Sequence, residues 1–171
     1  SGKTRFISDT IAMGQFADAK NKLLIVCEEG EEEYSEKLLK DNGVDMVVVE
    51  KEDFNIKTLN ELDKKYDPWI VIVEYNGMWD PALILGSEKP RGWQVYQSIT
   101  LVDANAFGLQ WANMKSIIAE SVKYADMVIF IYRPWMYGIK EDDTGTSTEG
   151  VGVLIIAKHR NGALDEVFFE H

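Results

Sequence analysis

The chain has 171 residues, 46% of them hydrophobic, which suffices for one core of ordinary size and argues against two full domains. Its 29 acidic against 18 basic residues give a net charge of -11, which argues against nonspecific binding to a nucleic-acid backbone or an anionic membrane surface. The lone Cys27 cannot form an internal disulfide, and no apolar run reaches the roughly 18–20 residues of a membrane span, so a cytoplasmic protein is expected.

Residues 3–18 read as a helix, with Phe6, Ile7, Ile11 and Phe16 at its apolar positions. Lys22–Cys27 is a buried strand that places Cys27 in the core as a small hydrophobe. Glu31–Asn42 is a helix stopped by Asn42-Gly43, followed by a strand at Asp45–Val49, a helix at Ile56–Lys65 and a strand at Trp69–Glu74. These strands are continuously apolar rather than alternating, as in a parallel sheet covered on both faces.

Val95–Asp103 reads as a further strand and Ala104–Lys123 as a helix, its Phe107, Trp111, Met114 and Ile118 forming a stripe suited to core packing. Met127–Tyr132 is a strand. Trp135–Gly150 is a long polar stretch expected to be a mobile loop. Val151–Lys158 and Glu166–Phe169 flank Arg160-Asn161-Gly162, a hairpin signal. The order is that of a layered α/β fold in a single domain, a mostly parallel sheet closed by a C-terminal antiparallel hairpin. No signal peptide is recognisable, and the missing initiator methionine suggests a processed or trimmed piece.

Two segments can carry phosphate chemistry. Ser1-Gly2-Lys3-Thr4 opens directly into a helix, as does the end of a G-x-x-x-x-G-K-[ST] loop, in which Lys neutralises phosphate and the Thr hydroxyl ligates Mg²⁺. The apolar strand ending at Glu74, with Gly77 three residues on, supplies a carboxylate for the metal or its water and a backbone N–H for the γ-phosphate. Lys3 and Glu74 are the candidate catalytic residues. Ser1, Gly2, Lys3, Thr4 and Gly77 are the candidate nucleotide ligands, and Thr4 and Glu74 the candidate Mg²⁺ ligands.

Residues 1–130 resemble the CobW/UreG class of P-loop GTPases, the metal-chaperone GTPases. The resemblance runs through Ser1–Thr4, Leu23–Cys27 with Glu28-Glu29-Gly30, Glu74-x-x-Gly77-x-x-Asp80-Pro81, Ser98–Asp103-Ala104 and Tyr124-Ala-Asp126–Phe130. It implies a three-layer P-loop fold, GTP (or ATP) with Mg²⁺ as ligands, and hydrolysis of the triphosphate. Two features depart from that pattern. Where the family reads guanine with Asn-Lys-x-Asp, this chain has Ile131-Tyr132-Arg133-Pro134, and the metal-handing Cys-x-Cys-Cys motif is absent. His159 and His171 are isolated and read as solvated side chains.

Residues 125–171 resemble the C-terminal end of a DnaB-type replicative helicase, through Ala125–Arg133-Pro134-x-x-Tyr137-Gly138 and Ile155–Lys158-His159-Arg160-Asn161-Gly162. That resemblance implies trans-acting finger residues at Lys158 and Arg160, reaching the nucleotide of a neighbouring subunit in a homo-oligomer. The solvated-charge reading of both stays open beside it, and so does a chimera of two related NTPases or a non-catalytic scaffold. Because the sequence opens within the loop, ahead of the P-loop lysine but after the strand that usually leads to it, the first strand is expected to be missing. Nucleotide binding is then expected to be weak and hydrolysis slow or absent.

Overall fold

The computed structural model describes residues 2–27 and 33–170. They group into two compact units, Gly2–Gln94 and a second that begins at Val95.

The first unit is built on β1 (Lys22–Val26), which lies between β2 (Val44–Val48) and β3 (Ile70–Glu74) in an all-parallel sheet. Leu23, Leu24 and Ile25 are completely buried because β1 is covered on both faces. The pleat sends alternate residues to opposite layers. Leu23, Ile25 and Cys27 meet Leu59 and Leu62 of α3 (Ile56–Tyr66), together with Trp79. Leu24 and Val26 meet Ile11 of α1 (Lys3–Ala12) and Leu39 of α2 (Glu36–Asp41). The result is a three-layer α/β/α arrangement.

Local chemistry sets the ends of these elements. The first helix stops at Ala12 rather than running to residue 18, because Gly14 takes φ +71° and its N–H returns to the Ile11 carbonyl. Ser35 caps α2 by accepting from the Leu38 N–H, and Asn55 caps α3 by accepting from the Lys57 and Thr58 N–H groups. Glu31 and Glu32, expected in the second helix, lie outside the described residues. A short α4 (Ala82–Leu85) follows Pro81, where no helix was expected.

The second unit carries a sheet of order β4-β5-β6-β7: β4 (Ile99–Asp103), β5 (Met127–Tyr132), β6 (Val151–His159) and β7 (Asp165–Glu170). β4 and β5 are parallel, while β5–β6 and β6–β7 are antiparallel, so the expected hairpin extends the sheet from β5. Strand pairing begins at Ile99 opposite Met127, not at Val95. The helix α5 (Phe107–Tyr124) starts later than expected because the Asp103 carboxylate accepts the Asn105 and Ala106 N–H groups in a preceding turn. Its apolar stripe is interrupted: Met114 has non-helical φ -132° and ψ 33°, and the contacts to Val102, Ala125, Val128 and Phe130 come from Phe107 and Val122.

The polar stretch Trp135–Gly150 has internal order that its composition does not announce. Asp142 accepts from the Thr144 and Thr146 N–H groups, Glu141 bridges Ser147, and the buried Thr148 hydroxyl donates to the Ile139 carbonyl. The hairpin connection spans residues 160–164. Gly162 serves there because a Cβ would overlap the His159 ring, and its φ is not in the left-handed region that an Asn-Gly turn uses.

Candidate functional site

The site lies in the first unit, where α1 begins beside the end of β3. Gly2 has φ 77° and ψ 5°, a left-handed conformation that costs a glycine nothing and turns the chain into α1, where the Phe6 N–H closes on the Gly2 carbonyl. The first-turn N–H groups of an α-helix have no partner within it, so they form a local positive end suited to phosphate. Lys3 is the first helical residue. Its Nζ lies 4.0 Å from where a Cβ on Gly77 would sit, which places the ammonium beside the turn that follows β3.

Glu74 is the last residue of β3 and is only 4% exposed. Thr4 Oγ1 donates to its Oε1 at 2.8 Å and the Tyr34 hydroxyl donates to its Oε2 at 2.5 Å. Burial, then the hydrogen bond and charge of Glu74, push the Tyr34 phenol far above its usual range, so it stays a proton donor. The Cys27 N–H donates to the Glu74 carbonyl at 2.9 Å. Burial, helped by the charges of Glu74 and Glu50, pushes the Cys27 thiol up to about 12, leaving it neutral and unreactive.

The turn that carries Gly77 is braced on both sides. Tyr75 donates to the Asp80 carbonyl at 2.7 Å, and the Asn76 side chain accepts from the Met78 N–H. Phe54, Tyr75 and Trp79 meet edge to face beneath it. A hydroxyl and a carboxylate are a suitable donor set for Mg²⁺. That cation keeps several waters and takes one or two protein oxygens, phosphate oxygens completing the shell. When bound, it would neutralise the charge on the terminal phosphates.

The fold therefore brings Gly2, Lys3, Thr4, Glu74 and Gly77 together, although about seventy residues of sequence separate the two halves. Ser1 lies outside the described residues. Lys158 and Arg160 lie in the second unit and have partners of their own. Lys158 Nζ donates to the Val122 and Lys123 carbonyls at the end of α5, and Arg160 pairs with Asp126 at 2.8 Å. His159 Nδ1 is 3.3 Å from the Ala163 carbonyl, and His171 lies outside the described residues. Among the described residues no three His, Cys, Asp or Glu side chains gather as a metal-holding group, and no helix is long and apolar enough to cross a membrane.

Tyr34 is the site residue that sequence reasoning missed. No motif contains it, and only folding brings it to Glu74. A second unforeseen contact is the Tyr137 hydroxyl on Asp103, at 2.6 Å. Burial works to raise the Asp103 pKa, but the hydrogen bonds from Tyr137, Ala106 and Asn105, with the Arg133 charge, outweigh it and hold the carboxyl below its usual range.

A parallel, two-faced sheet with a glycine-to-helix turn facing a strand-end carboxylate defines the P-loop class of nucleotide-binding domain. The family described as CobW/HypB/UreG, nucleotide-binding domain, matches residues 1–131, and the chain belongs to that family. It is also 37% identical over 84 residues to the replicative DNA helicase DnaB of Rhodothermus marinus. That similarity covers 49% of this chain and 8% of the helicase.

Proposed function

We propose that this chain binds a nucleoside triphosphate together with Mg²⁺, preferring GTP to ATP, and hydrolyses it slowly or not at all. The observation that carries this reading is the hydrogen bond between Thr4 and the buried Glu74, with Lys3 beside Gly77. Lys3 and the first turn of α1 hold the phosphates, while Thr4 and Glu74 hold the cation or its waters. Ser1 joins the nucleotide ligands, and residues 1–171 form a single P-loop domain; the CobW/HypB/UreG match supports this reading as far as residue 131. The hydroxyl donors on its two oxygens fix the plane of the Glu74 carboxylate, which suits it to orient a metal or its waters.

A second reading, an ATP-binding module of helicase type with Lys158 and Arg160 acting across an oligomer, draws on the DnaB similarity. The partners that both side chains have within the chain weigh against it. Thermal unfolding with Mg²⁺ plus GTP, ATP or neither separates the readings. A ligand at 100 times its Kd stabilises the folded state by about 2.7 kcal/mol. In a chain of this size that is about 5–10 °C in the midpoint, at about 2–4 °C per kcal/mol. A shift with GTP that Lys3→Ala abolishes is the expected result. A shift with ATP alone favours the helicase-type module, and no shift with either leaves a non-catalytic scaffold.

A further inference from the structure

Tyr34 reaches the site from the segment that enters α2, while Thr4 reaches it from the first turn of α1. The Tyr34 ring packs with the apolar layer of Ile11, Leu24, Val26 and Leu39, which fixes where its hydroxyl can point. That hydroxyl donates to Oε2 of Glu74 while Thr4 donates to Oε1. The last torsion of a glutamate is broad and two-fold, so a strand-end carboxylate left alone samples many planes. One donor on each oxygen, from two different elements, selects a single plane.

We propose that Tyr34 is a positioning residue for the magnesium–nucleotide site, its hydroxyl holding Oε2 so that Oε1 stays aimed at Thr4 and at the cation Thr4 would ligate. The inference rests on the nucleotide–Mg²⁺ reading of Thr4 and Glu74. A hydroxyl can ligate a cation through a lone pair and still donate its proton to a carboxylate, so the Thr4–Glu74 bond persists when the cation binds. Tyr34 sits on the other oxygen and need not leave. Were the phenol only a core filler, phenylalanine would serve as well, because the ring provides all the apolar contact.

The test is calorimetric titration of GTP into wild type and Tyr34→Phe, each in EDTA and in Mg²⁺. Partners that orient a metal ligand are worth about 10–100-fold in metal affinity. The expected result is that Mg²⁺ tightens binding to wild type, and that Tyr34→Phe loses about tenfold of that gain while keeping its affinity in EDTA. A variant that keeps the whole gain, or loses affinity equally with and without Mg²⁺, overturns the positioning role and leaves the nucleotide reading standing. Wild type that binds no GTP in either condition overturns the nucleotide reading, and this inference with it. Protein carrying 3-fluorotyrosine at position 34 alone supplies a readout that needs no variant to fold. Its ¹⁹F resonance should move when Mg²⁺ is added to the GTP-bound protein, and an unmoved resonance overturns the proposal.

Discussion

Thr4→Ala removes the hydroxyl that donates to Oε1 of Glu74, a residue only 4% exposed. A hydrogen bond to a charged group contributes about 1.5–3 kcal/mol. Tyr34 still satisfies Oε2, which places the loss at the lower end, about 1.5–2 kcal/mol. At about 2–4 °C per kcal/mol for a chain of this size, the midpoint falls by about 3–8 °C without ligand. Differential scanning calorimetry of wild type, Thr4→Ala and Thr4→Ser, each with and without Mg²⁺ and GTP, reads both consequences. Thr4→Ser keeps the hydroxyl and should restore the midpoint. In Thr4→Ala, Mg²⁺ should add nothing beyond what GTP alone provides. A ligand-free midpoint indistinguishable from wild type would refute the argument that this bond holds α1 to β3. A normal Mg²⁺ increment in a destabilised variant would instead remove Thr4 from the metal site.

Cys27 should resist a thiol reagent at pH 8 in the folded protein and react at once after denaturation, as absorbance with Ellman's reagent would report. Its thiol is held near 12 against an ordinary 9.0. Because the folded value is the higher one, this contribution to stability is complete below pH 9 and is lost as pH rises toward 12. Gly152 pairs with Phe169 across β6 and β7, and a Cβ there would overlap the ring. Gly152→Ala should therefore cost about 1–3 kcal/mol in urea denaturation, with Phe169→Ala in the same chain recovering part of it. Arg160→Ala, at a largely exposed guanidinium, should lower stability by no more than about 1 kcal/mol, whereas Lys158→Ala removes a half-buried ammonium from two helix-end carbonyls and should cost about 1.5–3 kcal/mol. GTP affinity should be unchanged in both, and a marked loss would favour the finger role.

The continuous apolar run Leu23–Val26 was enough to place β1, because a strand covered on both faces is apolar through its centre. Local chemistry written into the chain also set the stop at Asn42-Gly43. Gly14 carries a comparable stop signal, and the helix expected to residue 18 ends at Ala12 for that reason. The candidate site divides in the same way. Lys3, Thr4, Glu74 and Gly77 could be named from short motifs, since phosphate and Mg²⁺ demand those groups beside a helix start and a strand end. That Thr4 and Glu74 share a hydrogen bond depends on the packing of α1 against the sheet.

Tyr34, and the Tyr137 contact on Asp103, were beyond sequence reasoning for a physical reason. A single hydroxyl acquires its partner from the direction in which its ring is packed, and neither spacing nor residue type encodes that direction. The same holds for the partners of Lys158 and Arg160. A motif can say that a cation is present in a hairpin, but only the approach of the hairpin to the end of α5 and to Asp126 specifies what the cation touches.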